Sequence, residues 1–210
     1  MESKKYLDDI SEIKNMMSRS SRFISLSGLS GILAGIYALI AAAIARMLMR
    51  PYLDSYPATG NYDLETSELI PKLVLLALAT ITLAIITGIA LTVRKAQKNG
   101  EKVWDVGSKR LVYNFMIPLS AGGAFSLVLM QYGIVGLVAP ATLIFYGLAC
   151  VNAAKYTYGD VRYLGLTNII IGLVATQFIG YGLYFWALGF GLLHIVYGTL
   201  MYFKYDRTNK

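Results

Sequence analysis

The sequence predicts an all-α integral membrane protein with six transmembrane helices, arranged as three tandem hairpins. Composition is the first observation behind this prediction: 56% of the 210 residues are hydrophobic, only 15% are charged, and the mean hydropathy is +0.55. An ordinary soluble domain carries about 25% charged residues. The other two observations are long stretches without charge and clusters of Lys and Arg in the short segments between them.

Six apolar spans follow one another along the chain, each near the length of about 20 residues that a hydrocarbon core of about 30 Å requires. They are residues 23–48, 69–93, 111–130, 134–154, 163–180 and 184–203. We expect helices, because helices satisfy their own backbone groups in lipid and the spans lack the alternating polarity of barrel strands. The predicted bundle covers residues 23–204, with hairpins at residues 23–93, 111–154 and 163–203.

The basic residues predict the orientation of the bundle. All Lys and Arg except Arg46, Arg50 and Lys72 fall on one side of the six-span topology. Short loops rich in Lys and Arg stay in the cytoplasm, so both termini are predicted to be cytoplasmic. The net charge of +7 is then explained by topology, and nucleic acid is not expected as a partner, because no soluble basic fold is available to bind it.

Two segments lie outside the spans. Residues 1–22 place apolar side chains on one helical stripe, which predicts a cytoplasmic amphipathic helix that lies on the membrane or binds a partner protein. Residues 51–68 form an extracytoplasmic loop with four acidic residues and no Lys or Arg, in a spacing that matches no EF-hand. Residues 205–210 form a short cytoplasmic tail. Association between copies of the chain stays open.

A short motif recurs near the ends of the predicted spans. The chain reads IFYG up to Gly147 and IVYG up to Gly198, and a looser copy, IITG, ends at Gly88. Gly147 lies 37 residues after Arg110, and Gly198 lies 36 residues after Arg162. Matching spacing favours a genuine triplicated hairpin over a chance match between glycine-rich helices.

Three such units resemble the bacterial HdeD-type acid-resistance membrane proteins. The resemblance rests on a Gly-rich first helix, a short turn and a second helix that ends in an apolar-x-Tyr-Gly pattern, and it covers residues 22–204. It implies a multi-pass protein of the bacterial inner membrane with a stress-related role. It assigns no functional role to any residue of this chain.

The glycines of the first span predict close helix packing. Gly28, Gly31 and Gly35 recur every three or four residues, so they share one helix face. Small residues at this spacing let the backbones of membrane helices approach closely, whereas a phosphate-binding glycine loop would need a preceding strand. We therefore assign these glycines to packing.

His194, the single histidine, is the first candidate for a functional group in the membrane. It lies ten residues before Lys204, about 15 Å along a helix and therefore near the bilayer midplane. Such a group either senses or relays protons, or stays neutral and bonds to a neighbouring helix. Because the spans offer no Asp or Glu near it, we favour the neutral, structural interpretation.

A polar layer is predicted in the cytoplasmic third of the bundle. Its members are three amides and two phenols: Asn114, Asn152, Asn168, Tyr146 and Tyr197. Buried amides need partners in lipid, so the layer either lines a vestibule that binds a solute or forms interhelical hydrogen bonds. The two interpretations are equally compatible with the sequence.

The inventory of reactive residues argues against enzymatic chemistry. One His and one Cys cannot build a zinc site within one chain, bis-histidine haem is excluded, and no acidic residue lies near His194 for a catalytic triad. No metal or other cofactor is expected. Two hypotheses remain: a non-enzymatic membrane protein with a stress-related or partner-binding scaffold role, and a small channel or carrier with a path between the repeats.

Overall fold

The computed structural model describes residues 23, 26–53, 68–100 and 102–207, and over these residues it contains helices and no strand. The all-helical prediction is confirmed. Its helices are α1 (Gly28–Leu53), α2 (Leu69–Lys98), α3 (Val106–Gln131), α4 (Val138–Ala153), α5 (Val161–Ala175) and α6 (Gly182–Asp206). The predicted N-terminal helix of residues 1–22 and most of the predicted loop of residues 51–68 lie outside the described residues.

Five of these helices, all except α5, are long and apolar enough to cross a membrane; α4 reaches this length with the 3-10 turns at its two ends, as Val135–Tyr156. Helix α5 has 15 residues, about 22 Å at 1.5 Å per residue, so it is shorter than the fifth predicted span. The reason is local: after Ala175 the backbone closes into tight turns, with Gln177 N bonded to Val174 O and Phe178 N to Ala175 O. The apolar run continues to Gly180, but not as helix.

The ends of the long helices follow local chemistry. Asp105 caps α3, because its carboxylate accepts from Ser108 N at 2.7 Å while Ser108 Oγ accepts from Asp105 N at 2.8 Å. Helices α2 and α3 stop before Gly100 and Gly133, whose φ angles of 68° and 71° favour glycine. Helix α3 ends one residue after Met130, the predicted end of its span, whereas α2 continues five residues past Val93, the predicted end of its own.

Helices α4 and α6 meet at the centre of the bundle. Helix α4 packs between α3 and α5, α6 packs on α1, and α1 also contacts α2. Helices α2 and α3 make no extended contact with each other within the described residues. The most buried side chains include Leu143 and Cys150 on α4, whereas Leu75 on α2 and Ile117 on α3 are 69% and 68% exposed, as lipid-facing residues of a membrane helix would be.

Glycines line the crossings of α4 with α5 and of α1 with α6. At the α4–α5 crossing, a Cβ on Gly147 would lie 2.6 Å from Gly165 O, and a Cβ on Gly165 would lie 2.6 Å from Gly147 O. At the α1–α6 crossing, Gly28, Gly31 and Gly35 all face α6. Both crossings therefore bring backbone against backbone, which only glycine permits at this distance.

Candidate functional site

A polar chain at the bundle centre links α4 to α6. Tyr146 Oη on α4 lies 2.6 Å from His194 Nε2, and His194 Nδ1 lies 2.9 Å from Gly189 O. Gly189 belongs to a π-helical stretch of α6, Ala187–Leu192, where the widened turn changes the direction of the backbone groups. Such π-helical turns are rare and frequently occur at functional sites.

The two partners of His194 define its tautomer. A carbonyl oxygen only accepts, so Nδ1 carries the proton and donates to Gly189, and Nε2 of the neutral ring accepts from the Tyr146 hydroxyl. His194 is 7% exposed, and the ring of Phe190 stacks on its imidazole with 5.9 Å between the ring centres. Phe115 packs edge-on against Tyr146 from the other side. Both ring nitrogens are therefore used inside an apolar, aromatic environment.

Two polar atoms near this chain have no hydrogen-bond partner among the described residues. Asn168 on α5 is fully buried and donates from Nδ2 to Leu164 O at 2.9 Å, but its Oδ1 is unpaired. That oxygen faces α6, where a Cβ on Gly189 would lie 2.6 Å from it. Tyr197 Oη is the second unpaired atom. Each represents a free-energy cost that a water or a solute would remove.

The predicted polar layer divides into separate groups. Asn152 on α4 donates to Asn114 O at 2.8 Å, and Asn114 donates to Arg110 O at 2.8 Å. This pair joins α3 to α4 near one end of the bundle, whereas Asn168 lies between α5 and α6. Of the six candidate residues, hydrogen bonds among the described residues join only Tyr146 to His194 and Asn152 to Asn114.

Replacing Tyr146 by Phe tests the central chain. We expect the free energy of unfolding to fall by about 1–3 kcal/mol, because His194 Nε2 stays buried and loses its partner. Tyr113→Phe is the matched control, since Tyr113 is 70% exposed and should tolerate the change. Unfolding in detergent, followed by circular dichroism, measures both. Equal stability of the two variants would contradict the assignment.

A second polar cluster, which we call the end cluster, lies where α1 begins and α2 and α6 end. Asp206 on α6 accepts from Lys95 Nζ at 2.5 Å, from Gly28 N at 3.0 Å and from Ser27 Oγ at 3.5 Å. Lys95 also donates to Leu26 O at 2.8 Å. The side chains of Lys95 and Asp206 are only 14% and 12% exposed, so the ion pair is largely desolvated.

The end cluster continues to the start of α5. Asp160 accepts from Lys204 Nζ at 2.7 Å and from Tyr205 Oη at 2.8 Å. The rings of Tyr205 and Tyr158 stack at 4.0 Å, and Lys95 Nζ lies 5.5 Å from the centre of the Tyr158 ring. One polar junction therefore connects the start of α1, the ends of α2 and α6, and the segment that precedes α5.

The Lys204 ammonium, bonded to Asp160, holds the pKa of that carboxyl below its usual value. A lowered pKa in the folded state means that the ionised carboxylate stabilises the fold above the ordinary Asp pKa of about 3.9. The contribution is lost as the pH falls through the lower, folded-state pKa. We therefore expect the difference in thermal midpoint between the wild type and Asp160→Asn to be full at pH 7 and to shrink on acidification below pH 4. If the difference in thermal midpoint instead grew as the pH fell, the assignment of a lowered pKa to Asp160 would be wrong.

Reasoning from the sequence missed the end cluster. In the sequence Asp105 and Asp160 each precede an arginine, Arg110 and Arg162, yet Asp105 caps its own helix and Asp160 binds the end of α6. The signal in the sequence was weak, because Asp160 and Asp206 are two of eight acidic residues on the membrane side that carries 16 Lys and Arg. Charge alone does not say which acid pairs with which cation.

The fold and its exposed apolar helices define a class: a helical protein suited to a multi-pass position in a membrane. Among the described residues no three His, Cys, Asp or Glu side chains are grouped to hold a metal ion. Comparisons with models of protein families, with curated proteins and with solved structures find no match to this chain.

Proposed function

We propose that the protein is a non-enzymatic, multi-pass membrane scaffold whose buried polar groups hold its helices together. The observation that carries this proposal is the chain from Tyr146 through His194 to Gly189, in which both histidine nitrogens are used by the bundle itself. A proton relay would have to continue beyond the pair of Tyr146 and His194 to further titratable groups. On the α6 side of His194 the chain ends at the backbone carbonyl of Gly189, which passes no proton on.

The packing around the polar chain supports a scaffold. Phe115 and Phe190 cover Tyr146, and Leu143 beside Gly189 is completely buried. The Asn114–Asn152 pair is tied to the α3 backbone and not to the His194 chain. Four of the six candidate residues are thus used in two separate interhelical bonds, Tyr146 with His194 and Asn152 with Asn114.

We further infer that the bundle descends from a triplicated hairpin. A Cβ on Gly198 would lie 2.7 Å from Gly28 O, and one on Gly147 would lie 2.6 Å from Gly165 O. The match recurs seven residues after each of the partner glycines Gly28 and Gly165. A Cβ on Gly35 would lie 2.9 Å from Ile195 N, and a Cβ on Gly172 would lie 3.0 Å from Ile144 N. The motifs IVYG and IFYG thus make equivalent contacts with α1 and α5, which supports a repeat over chance.

The third copy of the motif differs in its contacts. A Cβ on Gly88 would meet nothing within 4 Å, so α2 uses this glycine in no helix crossing within the described residues. In α5 the crossing glycine, Gly165, lies three residues after Arg162, and the residue three after Arg110 in α3 is Tyr113. A tyrosine there prevents the backbone approach that a glycine allows. Helices α2 and α3 accordingly make no extended contact with each other within the described residues.

The physiological role that we propose remains the one implied by the HdeD-type resemblance: a stress-related protein of the bacterial inner membrane with both termini in the cytoplasm. The end cluster and the Lys and Arg of its surroundings lie on the side that the charge distribution predicts to be cytoplasmic. The charge distribution predicts that same side for the amphipathic segment of residues 1–22. It is therefore the segment that we propose binds a partner protein.

A channel or carrier is the second candidate, and the unpaired Asn168 Oδ1 and Tyr197 Oη favour it. A vesicle experiment separates the two functions. The purified protein is reconstituted into vesicles loaded with a pH-sensitive dye, and proton and small-solute leak is measured for the wild type, Asn168→Leu and Asn114→Leu. The scaffold predicts the same leak for all three proteins and for empty vesicles. A leak that needs the wild-type protein and disappears in Asn168→Leu would establish transport instead.

A further inference from the structure

A groove of about 480 Å³ opens between α1, α2 and α6 beside the end cluster. Its lining from α2 includes Arg94, Lys95 and Lys98, and α6 contributes Tyr202 and Asp206. The groove lies at the basic end of the bundle, where the apolar part of α2 gives way to charged residues. At this depth a helix of a membrane protein meets lipid headgroups.

The groove carries an excess of positive charge. Asp206 is already paired with Lys95, so it does not compensate the other cations. Arg94 and Lys98 lie one helical turn apart on α2, and neither has an ion-pair partner among the described residues. Two like charges on neighbouring turns repel each other unless an anion lies between them. Asn99 and Tyr202 add polar side chains to the same lining.

The face of α2 that leads from the groove into the membrane is apolar. Leu91, one turn from Arg94, lines the groove, and Leu83 further along is 52% exposed. Thr87 lies between them, but its hydroxyl is bonded back to Leu83 O at 2.8 Å, so it offers no free donor. A ligand with an anionic head and an alkyl tail therefore matches the basic groove and the apolar face of α2 that continues from it.

We propose that the groove binds an anionic phospholipid, with the phosphate between Arg94 and Lys98 and an acyl chain along the Leu91 and Leu83 face of α2. Basic pockets between membrane helices on the cytoplasmic side are the usual sites for anionic headgroups. Soluble phosphate shares the headgroup chemistry but makes no use of the apolar face. The site is distinct from the Tyr146–His194 chain, and it does not depend on whether the bundle transports anything.

Native mass spectrometry of the full chain in detergent tests the proposal. The protein is titrated with dioleoyl phosphatidylglycerol, with dioleoyl phosphatidylcholine and, in a third arm, with inorganic phosphate as competitor. We expect phosphatidylglycerol to bind more tightly than phosphatidylcholine. The double variant Arg94→Gln/Lys98→Gln should weaken the first phosphatidylglycerol by about tenfold or more. Both residues are exposed, so the variant is expected to fold, and circular dichroism checks it.

The matched control is Lys109→Gln/Arg110→Gln, which removes the same two charges from the same end of the bundle but from the exposed start of α3. The control should bind phosphatidylglycerol as the wild type does. An equal loss in both double variants would mean a general charge effect and would overturn the site. Equal affinity for the two lipids would overturn it as well. Displacement of the lipid by millimolar phosphate would assign the groove to a soluble anion and would overturn the proposal that it binds a phospholipid.

Discussion

Gly147→Ala and Gly198→Ala are expected to destabilise the protein strongly and by similar amounts. Each added Cβ would lie less than 3 Å from the backbone of the facing helix, so the helices must separate and not only repack. Overpacking of this kind costs about 3 kcal/mol when no flexible side chain can yield. The two effects should be similar, because the α4–α5 and α1–α6 crossings use the same contacts in the same register.

Gly88→Ala is the matched control for this prediction. Gly88 occupies the corresponding place in the third copy of the motif and has nothing within 4 Å of an added Cβ. Alanine also favours a helix over glycine by about 1 kcal/mol, so this variant should be as stable as the wild type or more stable. Unfolding in detergent with increasing dodecyl sulfate compares the three proteins. A loss at Gly88 as large as at Gly147 would show that the motif acts through local helix stability and not through packing.

Hydropathy was sufficient for most of the fold because lipid imposes a simple constraint on composition and length. A span of about 20 apolar residues can hardly be anything but a membrane helix. The exception is α5, which ends at Ala175 although the apolar run continues to Gly180. A hydropathy value depends on residue type and not on backbone conformation, so it does not distinguish an apolar helix from an apolar turn.

The motif glycines Gly147 and Gly198 lie inside α4 and α6, and their partners could not be derived from the sequence. The sequence relates Gly147 to Gly198, whereas their contacts with Gly165 and Gly28 depend on which hairpins become neighbours. Likewise Tyr146 and His194 were candidates from the start, and the bond between them was not foreseen. Pairing between helices far apart in the chain depends on packing, which one sequence without its three-dimensional neighbours does not reveal.

The end cluster illustrates the same limit with charges. Asp206 and Lys95 are 111 residues apart, and in the sequence they are an acid in a tail and one lysine among many. The positive-inside rule uses such lysines only for orientation. The structure gives this lysine a specific partner and leaves Arg94 and Lys98 beside it without one among the described residues.

Asp206→Ala is expected to be the most damaging change at the end cluster. It removes the acceptor of Lys95, Gly28 N and Ser27 Oγ together and leaves a largely buried ammonium without its counter-ion. Breaking a buried ion pair from one side costs about 3 kcal/mol, because the remaining charge stays desolvated. Lys95→Met should cost less, since Asp206 keeps its two other donors at the start of α1. The unfolding free energies of both variants in detergent measure this difference.

The double variant Lys95→Met/Asp206→Ala should recover part of the loss, because no buried charge is left unpaired and the two changes share one interaction. Lys204→Met serves as the comparison: its side chain is 58% exposed, so removing its pair with Asp160 should have a much smaller effect. Additive losses in the double variant would mean that Lys95 and Asp206 act independently. The end cluster would then not be what joins α1, α2 and α6, and the charged ends of these helices would be held together by packing alone.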